Sequence, residues 1–77
     1  MKKRVYYNTY ISIIRNNEYV SFAAGVSYRE IEEELIKVFI DLAIPLDLLD
    51  DCMYDGMLSY EGTYVYIIDV TYGVDFI

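Results

Sequence analysis

Apolar and polar positions alternate with a period of two near both ends of this 77-residue chain, and recur every three to four residues in its middle. The first pattern predicts strands and the second helices. Arg4 to Ile14 is rich in Val, Tyr, Ile and Thr and reads as a strand. Asn16-Asn17 follows, and asparagine tolerates positive φ, so a two-residue turn leads into a second strand, Glu18 to Ala24. That turn pairs Arg15 with Glu18, Ile13 with Val20 and Ile11 with Phe22. One face then collects Val5, Tyr7, Ile11, Ile13, Val20 and Phe22, and the other Tyr6, Asn8, Tyr10, Ser12, Ile14, Tyr19 and Ser21. A slip of one residue would mix the two sets, so the pattern itself specifies the register.

Gly25 closes the hairpin. Ser27 and Glu30 have the spacing of a capping box, predicting a helix from Tyr28 to about Leu42. Ile31, Leu35, Val38, Phe39 and Leu42 form its apolar stripe, and Glu30, Glu33, Glu34, Lys37 and Asp41 its polar side. Glu33 and Lys37 have the spacing of an i,i+4 ion pair. Pro45 breaks this helix and opens a second in its first turn. The second runs from Leu46 to Tyr54 and stops at Gly56, with Leu48, Leu49, Cys52 and Met53 apolar. Met57–Tyr60 and Thr63–Tyr72 read as a second hairpin across Glu61-Gly62. The last strand is apolar on both sides, which places it centrally. Gly73 to Ile77 is a tail whose Phe76 packs on the domain. The order β-β-α-α-β-β predicts a single α+β domain over residues 1–77, with the helices on one face of a mostly antiparallel sheet.

Charge adds a second layer. Lys2, Lys3, Arg4 and Arg15 stand in the first fifteen residues without an acid; all thirteen carboxylates follow, against Arg29 and Lys37 alone. The two parts carry +4 and −11 within a net charge of −7. Such a balance opposes direct binding to nucleic acid or anionic membrane and favours a basic protein partner. Neither of the longest uncharged stretches, Val5 to Ile14 and Tyr19 to Tyr28, ten residues each, is long enough to span a bilayer, and no signal peptide is read at the basic N-terminus. The single cysteine, Cys52, fits a reducing compartment, the cytoplasm.

The usual chemistry is missing. Histidine, the common base near neutral pH, is absent. The acids lack the alternating ligand pattern of a calcium loop, and zinc has too few ligands. Cys52 lies on an apolar helix stripe, as a core residue does. Asp69 stands in an apolar strand, where Arg4, Arg15 or a backbone amide is its expected partner. We expect no enzyme, cofactor or metal.

Two features suggest binding. Glu30, Glu33, Glu34 and Asp41 form one helical row and Asp47, Asp50, Asp51 and Asp55 another. Rows at this spacing can approximate the charge density of a nucleic-acid backbone, and would suit the cationic channel of a nucleic-acid-binding protein. The competing reading is a solvated face that keeps the chain soluble. In size and charge the chain resembles the small acidic proteins that phages use against host nucleases and CRISPR effectors, a likeness of composition without a shared motif. The second feature is Tyr6, Tyr10 and Tyr19 on one sheet face, which suits self-association into a homo-oligomeric assembly protein as well as cross-strand packing.

Overall fold

The Asn16-Asn17 turn sets the first half of the sheet. In the computed structural model, which describes residues 2–76, both asparagines have positive φ, 52° and 66°. That twist matches the flanking strands and joins β1 (Lys3–Arg15) to β2 (Glu18–Gly25) in the predicted register, with Arg15 opposite Glu18, Ile13 opposite Val20 and Ile11 opposite Phe22. A second such turn, Glu61-Gly62, joins β3 (Met57–Tyr60) to β4 (Thr63–Phe76). The sheet order is β2-β1-β4-β3 with every pairing antiparallel, so β4 is central.

The helices occupy one face: α1 (Tyr28–Asp41), a 3₁₀ turn (Leu46–Leu48) and α2 (Leu49–Asp55). Phe39, Leu35 and Val38 of α1 and Cys52 of α2 meet Ile11, Ala24 and Val65 of the sheet in one buried core. Phe39→Ala would cost about 3–5 kcal/mol there.

The start of α1 is built as the sequence predicts. Ser27 accepts from the Glu30 amide, and the Glu30 carboxylate accepts from the amides of Ser27 and Val26 at 3.1 and 2.9 Å. Gly25 is part of this device. Its φ is +135°, and a Cβ there would come within 2.7 Å of the Glu30 side chain.

The end of α1 holds what the pattern does not predict. Ala43 takes a left-handed conformation, φ 56°. Its amide reaches back to the Ile40 carbonyl, and the Ile44 amide to that of Phe39 at 2.9 Å. These are the two bonds of a Schellman cap, and they drive Ile44 into the core. Pro45 lies just ahead of the 3₁₀ turn, and the predicted single helix from Leu46 is that turn followed by α2, which ends at left-handed Gly56.

The predicted tail is a strand. Gly73–Phe76 pair with Tyr6–Lys3, and a bulge at Tyr72 shifts the register between Tyr6 and Tyr7. Beyond the reach of β2 and β3 these segments form a two-stranded ribbon that contributes to the 47 Å length of the molecule. Phe76 does not pack on the domain: it is exposed on the ribbon opposite Lys3. Ile77 lies outside the described residues.

Two substitutions test the helix ends. Ala43→Gly relieves a left-handed alanine and should raise stability by about 0.5–1 kcal/mol, read from urea melts. Ser27→Ala should lower it by about 1 kcal/mol. Hydrogen bonding to three donors of Val26 and Ser27 holds the Glu30 carboxyl below its ordinary range. Its stabilising effect is therefore present above that range and lost as pH falls through the lowered value. Glu30→Gln should flatten this part of the acid limb.

Candidate functional site

The carboxylates of the two helices have different surroundings. On α1, Glu30 is committed to the cap. The Arg29 guanidinium meets Glu33 at 3.2 Å, and the Lys37 ammonium meets Glu34 at 3.1 Å. The predicted Glu33–Lys37 pair is not formed, because each partner has a nearer neighbour one turn away. Asp41 is exposed and shares a groove of about 290 Å³ with Lys37, Glu34 and Leu42.

Along the next segment no cation intervenes. Asp47 lies in the 3₁₀ turn, Asp50 and Asp51 in the first turn of α2, and Asp55 in its last. All four are exposed, and among the described residues none is within ion-pair distance of a cation. Asp50 and Asp51 sit where the helix dipole favours negative charge, and Asp55 where it does not. Between them stands Tyr54, 92% exposed. It is four residues from Asp50 and three from Asp51, so the ring shares their side of the helix. Tyr28, Asp50, Met53 and Tyr54 line a depression of about 450 Å³. Tyr54 was legible from the same spacing that gathers the acids, but only its exposure singles it out.

The cations are divided. Lys2, Lys3 and Arg4 lie at one end of β1 and Arg15 at the other, about 40 Å away for a strand of 13 residues. They do not form one patch. Asp69 pairs with neither Arg4 nor Arg15. Its partner is the buried Thr9 hydroxyl, which donates to it at 2.7 Å from the facing position of β1.

The three predicted tyrosines share the face turned away from the helices, but they are spread along it. Tyr6 is on the ribbon, where its hydroxyl donates to Asp75 at 2.7 Å and its ring leans on Tyr72. Tyr10 lies opposite Ala23, and Tyr19 opposite Ile14. Between them Ser12, only 1% exposed, shares hydrogen bonds with Tyr19 at 3.3 Å and Ser21 at 3.0 Å. The Ser12 hydroxyl, then that of Ser21, holds the Tyr19 phenol below its ordinary pKa. The alternation of the last strand already groups Tyr64, Tyr66 and Ile68 on one face, but not beside these tyrosines: in the sheet Tyr64 stands opposite Ile14, Tyr66 opposite Ser12 and Ile68 opposite Tyr10. Those neighbours exist because β4 inserts between β1 and β3.

Cys52 is fully buried, and burial followed by the charge of Asp55 pushes its thiol up to about 11. It is a thiol, not a thiolate, near neutral pH. Among the described residues no group of three Cys, Asp or Glu is placed to hold a metal ion, and no helix is long and apolar enough to cross a membrane. Comparison with protein-family models, with curated proteins and with solved structures returns no match.

The cysteine offers a direct check on the packing of α2. The unfolded thiol ionises near 9.0 and the folded one near 11. Its stabilising effect is full below the first value and lost as pH rises through the second. Urea melts across that range should fall more steeply for the wild type than for Cys52→Ala. A thiol reagent should modify the native chain only as fast as it opens.

Proposed function

We propose that this chain is a non-enzymatic acidic protein that occupies the cationic site of a nucleic-acid-binding protein, such as a nuclease or a CRISPR effector, with its carboxylates in place of phosphates. The observation that carries the reading is the uncompensated row Asp47, Asp50, Asp51 and Asp55 around the exposed Tyr54 ring. Four charges fall within about 12 Å of helix rise, one per roughly 3–4 Å; along one DNA strand the spacing is roughly 3.4 Å per phosphate. An aromatic ring set among anions also offers a basic groove the stacking surface that a base would present. Glu34 and Asp41 of α1 instead border a groove with Ile13 and Phe22 of the first hairpin, and Glu30 is held in the helix cap, so the α2 row leads. Such a partner would be met in the host cytoplasm, where a lone buried thiol stays reduced.

Purified basic nucleic-acid-binding proteins, each with and without its nucleic acid, should be titrated against the chain. A true partner binds in the free form, is displaced by its own nucleic acid, and lets go as salt rises. The double variant Asp50→Lys/Asp51→Lys should weaken binding by about 100-fold or more, and Tyr54→Ala by about tenfold. Circular dichroism should show both folded. Unchanged affinity in the double variant, or equal binding to the nucleic-acid-loaded partner, rejects the reading.

A further inference from the structure

Within the four-stranded body, the face of the sheet opposite the helices carries no charged side chain. There it comprises 13 positions, the alternate residues of the four paired strands from Asn8, Tyr19, Met57 and Tyr64 onward. None of the chain's thirteen carboxylates or six cations is among them. Several of its large side chains remain open to solvent: Tyr19 64%, Val70 48%, Met57 47%, Ile68 42% and Tyr64 41%. Isolated apolar residues at a surface need no explanation, but a contiguous patch of this kind marks an interaction site.

We infer that this face binds the same face of a second copy, forming a two-fold dimer with the sheets stacked and the helices outermost. Three observations select a second copy as occupant. The first is charge. A basic partner is drawn to the carboxylates on the helical side and meets none here, whereas two copies of net charge −7 approach with least repulsion through the surface that carries no carboxylate. The second is area. Seven residues each of β1 and β4, five of β2 and four of β3 give a flat footprint of about 370 Å², which side-chain relief enlarges towards the lower range of specific interfaces, about 600 Å² per partner. The third is satisfaction. The buried hydroxyl at the centre of the face, Ser12, is already bonded to Ser21 and Tyr19, so covering the face does not strand this hydroxyl. Antiparallel sheets stack in this way about 10 Å apart with strands crossing at about 30°, and a two-fold axis makes one patch complementary to itself.

The test is sedimentation equilibrium of the full chain at micromolar concentration, in low and in high salt. The mass should be twice 9.1 kDa, and the dimer should hold or tighten as salt rises, because salt screens repulsion between the acidic halves. Binding to a basic partner responds to salt with the opposite sign, so failure of one reading is distinguishable from failure of the other. Ile68→Lys should weaken the dimer by about 100-fold or more, since each copy would bury an unpaired ammonium. Tyr19→Lys, at an edge strand that tolerates lysine, should do the same and serves if Ile68→Lys fails to fold. Val74→Lys on the ribbon should leave the dimer unchanged. A monomeric wild type, a dimer that dissolves with salt, a dimer that survives the folded face variant, or one lost only in Val74→Lys would each overturn the inference.

Discussion

The pairing of the first strand with the last holds this molecule together. Thirteen cross-strand pairs join β1 to β4, from Arg15 opposite Thr63 to Lys3 opposite Phe76. Each hairpin is local and closes through a two-residue turn, but two strands alone are marginal in water. Only when β4 docks on β1 do Val65 and Ile67 come beside Ile11 and Ile13, giving α1 and α2 a continuous apolar floor. The entropy of closing that long loop is repaid by no single contact. It is offset by the core as a whole, so the two halves of the chain should fold as one cooperative unit.

On this frame the charges fall into two regimes. Those of α1 are partly paired within the helix: a cap at Glu30, two ion pairs at Glu33 and Glu34, with Glu32 outside them and Asp41 at the groove. Exposed ion pairs of this kind contribute little to stability, but they offset two of the five carboxylates of α1, Glu30, Glu32, Glu33, Glu34 and Asp41. The short segment after Pro45 keeps its full charge. The negative field of the protein therefore has a direction, which its net charge does not convey. Within the four-stranded body, the face opposite the helices holds no charged side chain and contributes none of that field.

Much of this was legible in the sequence because local rules and the global pattern agree. Asn16-Asn17 set a register that the alternation of Ile11, Ile13, Val20 and Phe22 independently supports. Ser27 and Glu30 mark a helix start, and Gly56 a helix end. Reading failed where one residue acts against its type. Ala43 is no marker of positive φ, yet the burial of Ile44 holds it there. Tyr72 sits in a bulge that interrupts the period of two, so Gly73 looked like a terminator when the strand runs on. The ion pairs of α1 were ambiguous because Arg29, Glu33, Glu34 and Lys37 offer several combinations at i+3 and i+4. For the site, the acids were visible as spacing, whereas Tyr54 is distinguished only by its exposure. The full extent of the bare face follows from strand order, which no local pattern encodes.

The ribbon also decides where the chain can be joined to anything else. Lys3 and Phe76 stand side by side on neighbouring strands, so both described ends leave from one tip, away from the Asn16-Asn17 turn. A label or fused domain on either end would hang from the same point and leave the opposite end of the sheet clear. A short bridge between the two ends would convert the central strand pair into a closed hairpin. New ends opened at Asn16-Asn17 would then give the same sheet with its connectivity turned inside out.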